Sequence, residues 1–208
     1  MVKLYKNFNI NNHHKNSIIL IGNFDGLHLG HQKLFKLALS YKKKYNSKIG
    51  VINFDPMPKM YFNNSLKNFK ISSVNQKLEL LKELKVDFII TKKFDKNFSK
   101  IKSIKFIKEI LYKKLNCKFI FVSNNFRFGN KREGDVKLLI QNEKNYNYKV
   151  IKPKPLLKSK KIVSSTIIRN LLEKGNLNRA NKFLGREWTI DGIVQKGRQV
   201  GKKIGFPT

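Results

Sequence analysis

The sequence predicts an α/β fold with a parallel sheet covered on both faces, and three observations carry that expectation. Short apolar runs suited to buried strands recur at Ile18–Ile21, Ile49–Phe54, Asp87–Thr91, Lys118–Val122 and Tyr148–Lys152. Stretches of helical spacing separate most of them, such as Lys33–Tyr45 and Gln76–Leu84 with Leu78, Leu81 and Leu84. The first connection has the length of a right-handed crossover, which makes its two strands parallel.

Met1 to Asn16 is polar and reads as an edge strand or a loosely held arm. Ile18–Ile21, bounded by Ser17 and Gly22, is a buried strand, and Gly22, Asn23, Asp25 and Gly26 form a turn. Leu27, Leu34, Leu37 and Ala38 then fit a helix, which puts His28 and His31, three residues apart, on one face of its start. A helix start presents unpaired N–H groups and partial positive charge, so turn and histidines together can converge on phosphate oxygens. A zinc site would need a third ligand from His13, His14, Cys117 or a carboxylate.

Phe54-Asp55-Pro56-Met57-Pro58 is predicted to be non-helical, because two prolines fix an extended path at the carboxyl end of a strand, where open α/β sheets bind ligands. Phe94, Phe98, Ile101, Ile104, Ile107 and Leu111 recur at three- and four-residue steps and predict the core face of one helix. In the turn Ser123–Gly129, Phe126 and Phe128 flank Arg127, offering ring faces to a flat ligand and a cation to phosphate. Ser164, Ser165 and Thr166 cap a helix start and, with Arg169 one turn later, also suit an anion. A short helix is predicted at Leu177–Leu184, and Trp188–Val194 alternates with period two like a strand.

Composition narrows the class. Hydrophobic residues at 40% and aromatics at 12% support a packed core. No apolar run approaches the roughly 20 residues of a membrane span, and the polar N-terminal stretch lacks a signal-peptide apolar region, so the expectation is a cytoplasmic protein with no membrane partner. Cys117 excludes an internal disulfide framework and reads as a small core residue. The 45 Lys and Arg against 13 Asp and Glu give +32. They are mostly Lys scattered among Asn and Ile, a pattern that A/T-rich codons produce unaided, so no specific nucleic-acid partner is expected. The charge still favours phosphorylated substrates.

Several of these segments resemble known motifs. Gly22 to His31, GNFDGLHLGH, resembles the G-x-F-D-G-x-H-x-G-H signature of the nucleotidylyltransferase superfamily, and Val163–Arg169, VSSTIIR, resembles its second signature, I-S-S-T-x-I-R. Phe54–Pro58 matches F-x-P-x-P, and Asn125–Gly129 with Arg132–Asp135 resembles the [DN]-F-R-F-G and R-E-G-D pair of bacterial FAD synthetases; Ser123 replaces a usual glycine. Gly192–Gly197 and Gly201–Thr208 resemble the opening of a riboflavin kinase barrel.

The whole is similar to the bacterial bifunctional riboflavin kinase/FMN adenylyltransferase family. The resemblance implies a Rossmann-like nucleotidylyltransferase domain over 1–184 and, over 185–208, the truncated start of a β-barrel riboflavin kinase domain. It implies AMP transfer from ATP to FMN, with Mg²⁺ carried largely by the triphosphate, and no kinase activity from this chain alone. His28, His31 and Arg169 are the implied catalytic residues; Gly22, Asn23, Phe24, Asp25, Ser164, Ser165 and Thr166 join them in ATP binding. Phe54, Pro56, Pro58, Asn125, Phe126, Arg127 and Phe128 are implied on the FMN side. Two alternatives stay open: a nucleotidylyltransferase with another phosphate acceptor, and a non-catalytic flavin- or RNA-binding module.

Overall fold

The computed structural model describes residues 2–66, 69–158, 161–193, 195, 197 and 204–206. In chain order the elements are β1 (Lys3–Tyr5), β2 (Ile18–Ile21), α1 (Leu29–Tyr45), β3 (Ile49–Asp55), α2 (Pro58–Phe62), α3 (Val74–Glu83) and β4 (Phe88–Lys93). Next come α4 (Lys96–Ser99), α5 (Ser103–Lys105), which runs into a π-helical stretch Phe106–Lys114, β5 (Phe119–Phe121), β6 (Arg127–Phe128), β7 (Gly134–Asp135) and α6 (Val136–Gln141). They are followed by β8 (Lys149–Ile151), β9 (Leu157–Lys158), β10 (Lys161–Ile162), α7 (Ser165–Glu173) and α8 (Leu177–Leu184).

Six strands form one sheet in the order β1-β4-β3-β2-β5-β8. Every pair in it is parallel, with Ile18 opposite both Ile49 and Phe119. The polar N-terminal stretch supplies the edge strand expected of it. Both sheet faces are covered, which is why β2 is apolar throughout rather than alternating. Ile19 and Ile21 pack with Ile107, Leu111 and Ile120, while Ile18 and Leu20 pack with Leu34, Phe35, Ala38 and Leu81. The fold is therefore the α/β, Rossmann-like arrangement anticipated, and no helix among the described residues is long and apolar enough to cross a membrane.

Three local expectations are corrected. The single helix foreseen through Phe94–Leu111 is broken: α4 ends at Ser99, Ile101 lies outside any helix, and Ile104 is 45% exposed. Long-range backbone bonds compete with the helix there. The Ile101 carbonyl accepts from the Asn130 N–H at 2.8 Å, and the Ser103 N–H donates to Glu133 Oε1 at 2.6 Å. Pro58 does not stay extended but opens α2 as its first residue, where its fixed φ suits a helix and no N–H is missed. Trp188 to Ile193 form no strand; Val194 lies outside the described residues, as do Lys196, Gly201–Lys203, Pro207 and Thr208 of the barrel-like motifs.

Candidate active site

At the end of β2 the chain leaves the sheet, with the Gly22 N–H still donating to the Ile52 carbonyl at 3.1 Å. Three positions of the turn are left-handed, Phe24 (φ 47°), Gly26 (φ 76°) and Leu27 (φ 40°). Packing holds this strained path. The Phe24 ring is buried, 5.2 Å from Phe35 and 5.3 Å from His31 between ring centres. Gly26 is required both by its φ and by space, since a Cβ there would sit 2.9 Å from Ile71 Cγ2.

Asp25 is the hub of the turn. Its buried carboxylate accepts from the N–H groups of Ile71 (3.0 Å) and Ser72 (3.4 Å) and from Arg169 Nη2 (2.7 Å), while its carbonyl accepts from Ser165 Oγ at 2.9 Å. The expectation of Asp25 as an ATP contact thus meets a carboxylate engaged with backbone and guanidinium.

His28 caps α1, its Nδ1 accepting from the His31 N–H at 3.3 Å. An accepting Nδ1 puts the ring proton on Nε2. The two imidazoles stack at 3.6 Å and 17°. Burial, aided by the Arg169 charge, pushes the His28 pKa down to about 4, and burial next to His28 holds His31 well below its ordinary value. Both rings are therefore neutral at pH 7, and His31 Nδ1 is buried without a partner among the described residues.

At the start of α7, Ser164 caps the helix through the Ile167 N–H at 3.4 Å. Arg169 lies one turn on, with Cζ 3.7 Å above the Phe69 ring and Nε donating to the Phe69 carbonyl at 2.8 Å.

A cavity of about 450 Å³ joins these groups to an aromatic chamber. Its polar end is lined by Gly22, Asn23, Phe24, Asp25, His31, Ser165, Thr166 and Arg169; the other end by Phe54, Pro58, Asn125, Phe126, Arg127 and Phe128. Of the residues singled out from sequence, His28, Ser164 and Pro56 are not on its wall. His28 instead backs His31, Ser164 is occupied as a helix cap, and Pro56 follows a cis peptide from Asp55. In the chamber Phe126 and Phe128 stack at 5.5 Å, and Arg127 Nη1 lies 3.4 Å from Asp135, so its charge is shared.

The sequence reading missed Met57, Phe94, Phe98, Ile101 and Phe106 on this wall, and the cations Lys59, Lys131 and Arg132. Phe94, Phe98 and Ile101 fit the core face of a helix by their spacing; the usable signal was the place of Phe94 directly after β4, whose carboxyl end shares this edge of the sheet. Among the described residues no three His, Cys, Asp or Glu side chains gather to hold a metal ion.

The family model for FAD synthetase matches residues 10–167. The chain belongs to the FAD synthetase family. Relatives of this FAD synthetase domain include the bifunctional riboflavin kinase/FMN adenylyltransferase of Buchnera aphidicola subsp. Schizaphis graminum, 41% identical over 96% of this chain and 64% of the relative. The enzyme of the same name from Escherichia coli K12 is 34% identical over 92% of this chain and 61% of its own length. The chain thus spans under two thirds of these relatives. A crystal structure described as a macrolide-efflux protein from Streptococcus pneumoniae superposes with a TM-score of 0.80 at 28% identity, over 99% of this chain and 67% of that one.

Proposed function

We propose that this FAD synthetase chain is an FMN adenylyltransferase, moving AMP from ATP to FMN to give FAD and pyrophosphate. The observation that carries the reading is one cavity with an anion-binding end, built from the β2–α1 turn and the α7 start, opening into an aromatic chamber. ATP phosphates suit the first and a flavin ring the second.

The chemistry asks little of general bases. The FMN phosphate, with a second pKa near 6, is already mostly dianionic at pH 7. One of its oxygens attacks the α-phosphorus of ATP, the new O–P bond forms in line, and the bond to the β-phosphate oxygen breaks to release pyrophosphate. The protein's task is to align two anions and to supply donors where charge develops. In this reading neutral His31, braced by His28, donates to the phosphates. The Arg169 guanidinium meets the β and γ phosphates, with Ser165 and Thr166 alongside. Phe54, Pro58, Phe126 and Phe128 hold the isoalloxazine, and Asn125 its polar edge.

Mg²⁺ belongs to this reading as part of the ATP substrate, held by triphosphate oxygens and water, which suits a cation that keeps its hydration shell. Residues 185–208 are proposed to lead into a riboflavin kinase domain, and a cytoplasmic location completes the reading.

The test uses labelled ATP. With α-labelled ATP and FMN, label should appear in FAD; label passing from the γ position into a flavin phosphate would instead mark kinase chemistry and overturn the assignment.

A further inference from the structure

Beyond α8 the chain runs straight back onto the β2–α1 turn. Gln32 Nε2 donates to both the Leu27 carbonyl (3.1 Å) and the Leu184 carbonyl (3.0 Å), tying the turn to the end of α8. Gly185 follows at φ 74°, packed so closely that a Cβ would lie 2.5 Å from Leu29 Cδ2. Arg186 Nη2 then donates to the Gly26 carbonyl at 3.0 Å. Trp188 Nε1 donates to the Ile71 carbonyl at 2.8 Å, and Gln76 Nε2 to the Thr189 carbonyl at 3.1 Å.

These bonds fall on the Asp25 hub from outside the cavity wall. Ile71 is gripped at both ends of its backbone, its N–H by Asp25 and its carbonyl by Trp188. Gly26, the residue after Asp25, is held through its carbonyl by Arg186. Arg186 pays for this position in lost hydration: Nη1 is buried with no partner among the described residues, and burial draws the group's pKa down. A half-buried guanidinium with one short bond is an unfavourable way to cap a peripheral segment, and a direct way to fix a left-handed turn. The matched family region ends at residue 167, before this strap begins.

We infer that Arg186 is a positioning residue for adenylyl transfer: by holding the Gly26 carbonyl it fixes the turn that presents His31 and the Asp25–Arg169 pair to the triphosphate. The strap 185–189 therefore belongs mechanically to the nucleotide site rather than to whatever follows it. The inference rests on the proposed use of this cavity for ATP.

Its test reads ATP affinity without any acceptor, so an error about FMN leaves it intact. MgATP binding is measured by calorimetry for the chain and for Arg186→Met and Arg186→Lys. Arg186→Met should weaken binding about tenfold, and Arg186→Lys, which keeps a donor and a charge, should stay within about threefold of the parent. Trp188 is the chain's single tryptophan, so its emission reports on the strap alone. MgATP should change that emission in the parent and in Arg186→Lys but not in Arg186→Met. An Arg186→Met affinity within threefold of the parent overturns the inference. Equal weakening in both variants with equal loss of melting temperature does so too, since it assigns Arg186 to fold stability.

Discussion

Asp25 Oδ2 and Arg169 Nη2 lie 2.7 Å apart, joining the β2–α1 turn to a helix residue 144 positions later. The two signature segments thus form one structure: the acid of the first holds the base of the second over the cavity, against the Phe69 ring. Breaking such a buried pair leaves one charge uncompensated.

Asp25→Asn should therefore destabilise the fold by about 3 kcal/mol, read as a lower urea midpoint with unchanged slope. A loss below about 1 kcal/mol would mean that the backbone N–H groups of Ile71 and Ser72, not Arg169, are what Asp25 serves.

Stability should fall with acid through the histidines. His28 has a folded-state pKa of about 4 against an ordinary 6.5, so the unfolded chain binds the extra proton between these values. By linkage, stability is fully present above pH 6.5 and declines as pH drops toward 4, by up to about 3 kcal/mol from this group. Urea unfolding at pH 7 and 4.5 checks it. His28→Asn keeps a capping acceptor and should flatten the dependence; an unchanged slope in that variant would assign the acid sensitivity elsewhere.

Phe54 lies in the chamber, with its ring 5.4 Å from Phe98. Phe54→Ala should raise the KM for FMN about tenfold and leave that for ATP within threefold, since the lost ring contact belongs to the end of the cavity proposed for the flavin. Steady-state kinetics with each substrate varied separately decides this, and equal shifts in both would place the flavin elsewhere.

The parts of this molecule legible in the sequence are those written locally. Ile18–Ile21 is apolar on both faces and flanked by Ser17 and Gly22, and it became a central parallel strand; Ser164 and its neighbours capped the helix they suggested. What stayed hidden depends on distant partners. The helix through Phe94–Leu111 broke because Asn130 and Glu133 captured the backbone at Ile101 and Ser103. Periodicity cannot register such competition. For the same reason Phe94 and Phe98 looked like core residues when they line the chamber, and the partners that hold Asp25 on the cavity wall, Ile71, Ser72 and Arg169, could not be read from its own turn. Arg186 follows a glycine at a helix end, and its hold on Gly26 spans 160 residues of chain.

Pyrophosphate release by the purified chain, supplied with ATP and Mg²⁺ and with FMN or riboflavin as separate acceptors, tests the central claim. The account predicts release with FMN only, matched mole for mole by FAD, and at least a tenfold slower rate in a His28→Ala/His31→Ala variant, about 1.4 kcal/mol of transition-state stabilisation. Release that is independent of FMN, or FMN binding with no release at all, would contradict it.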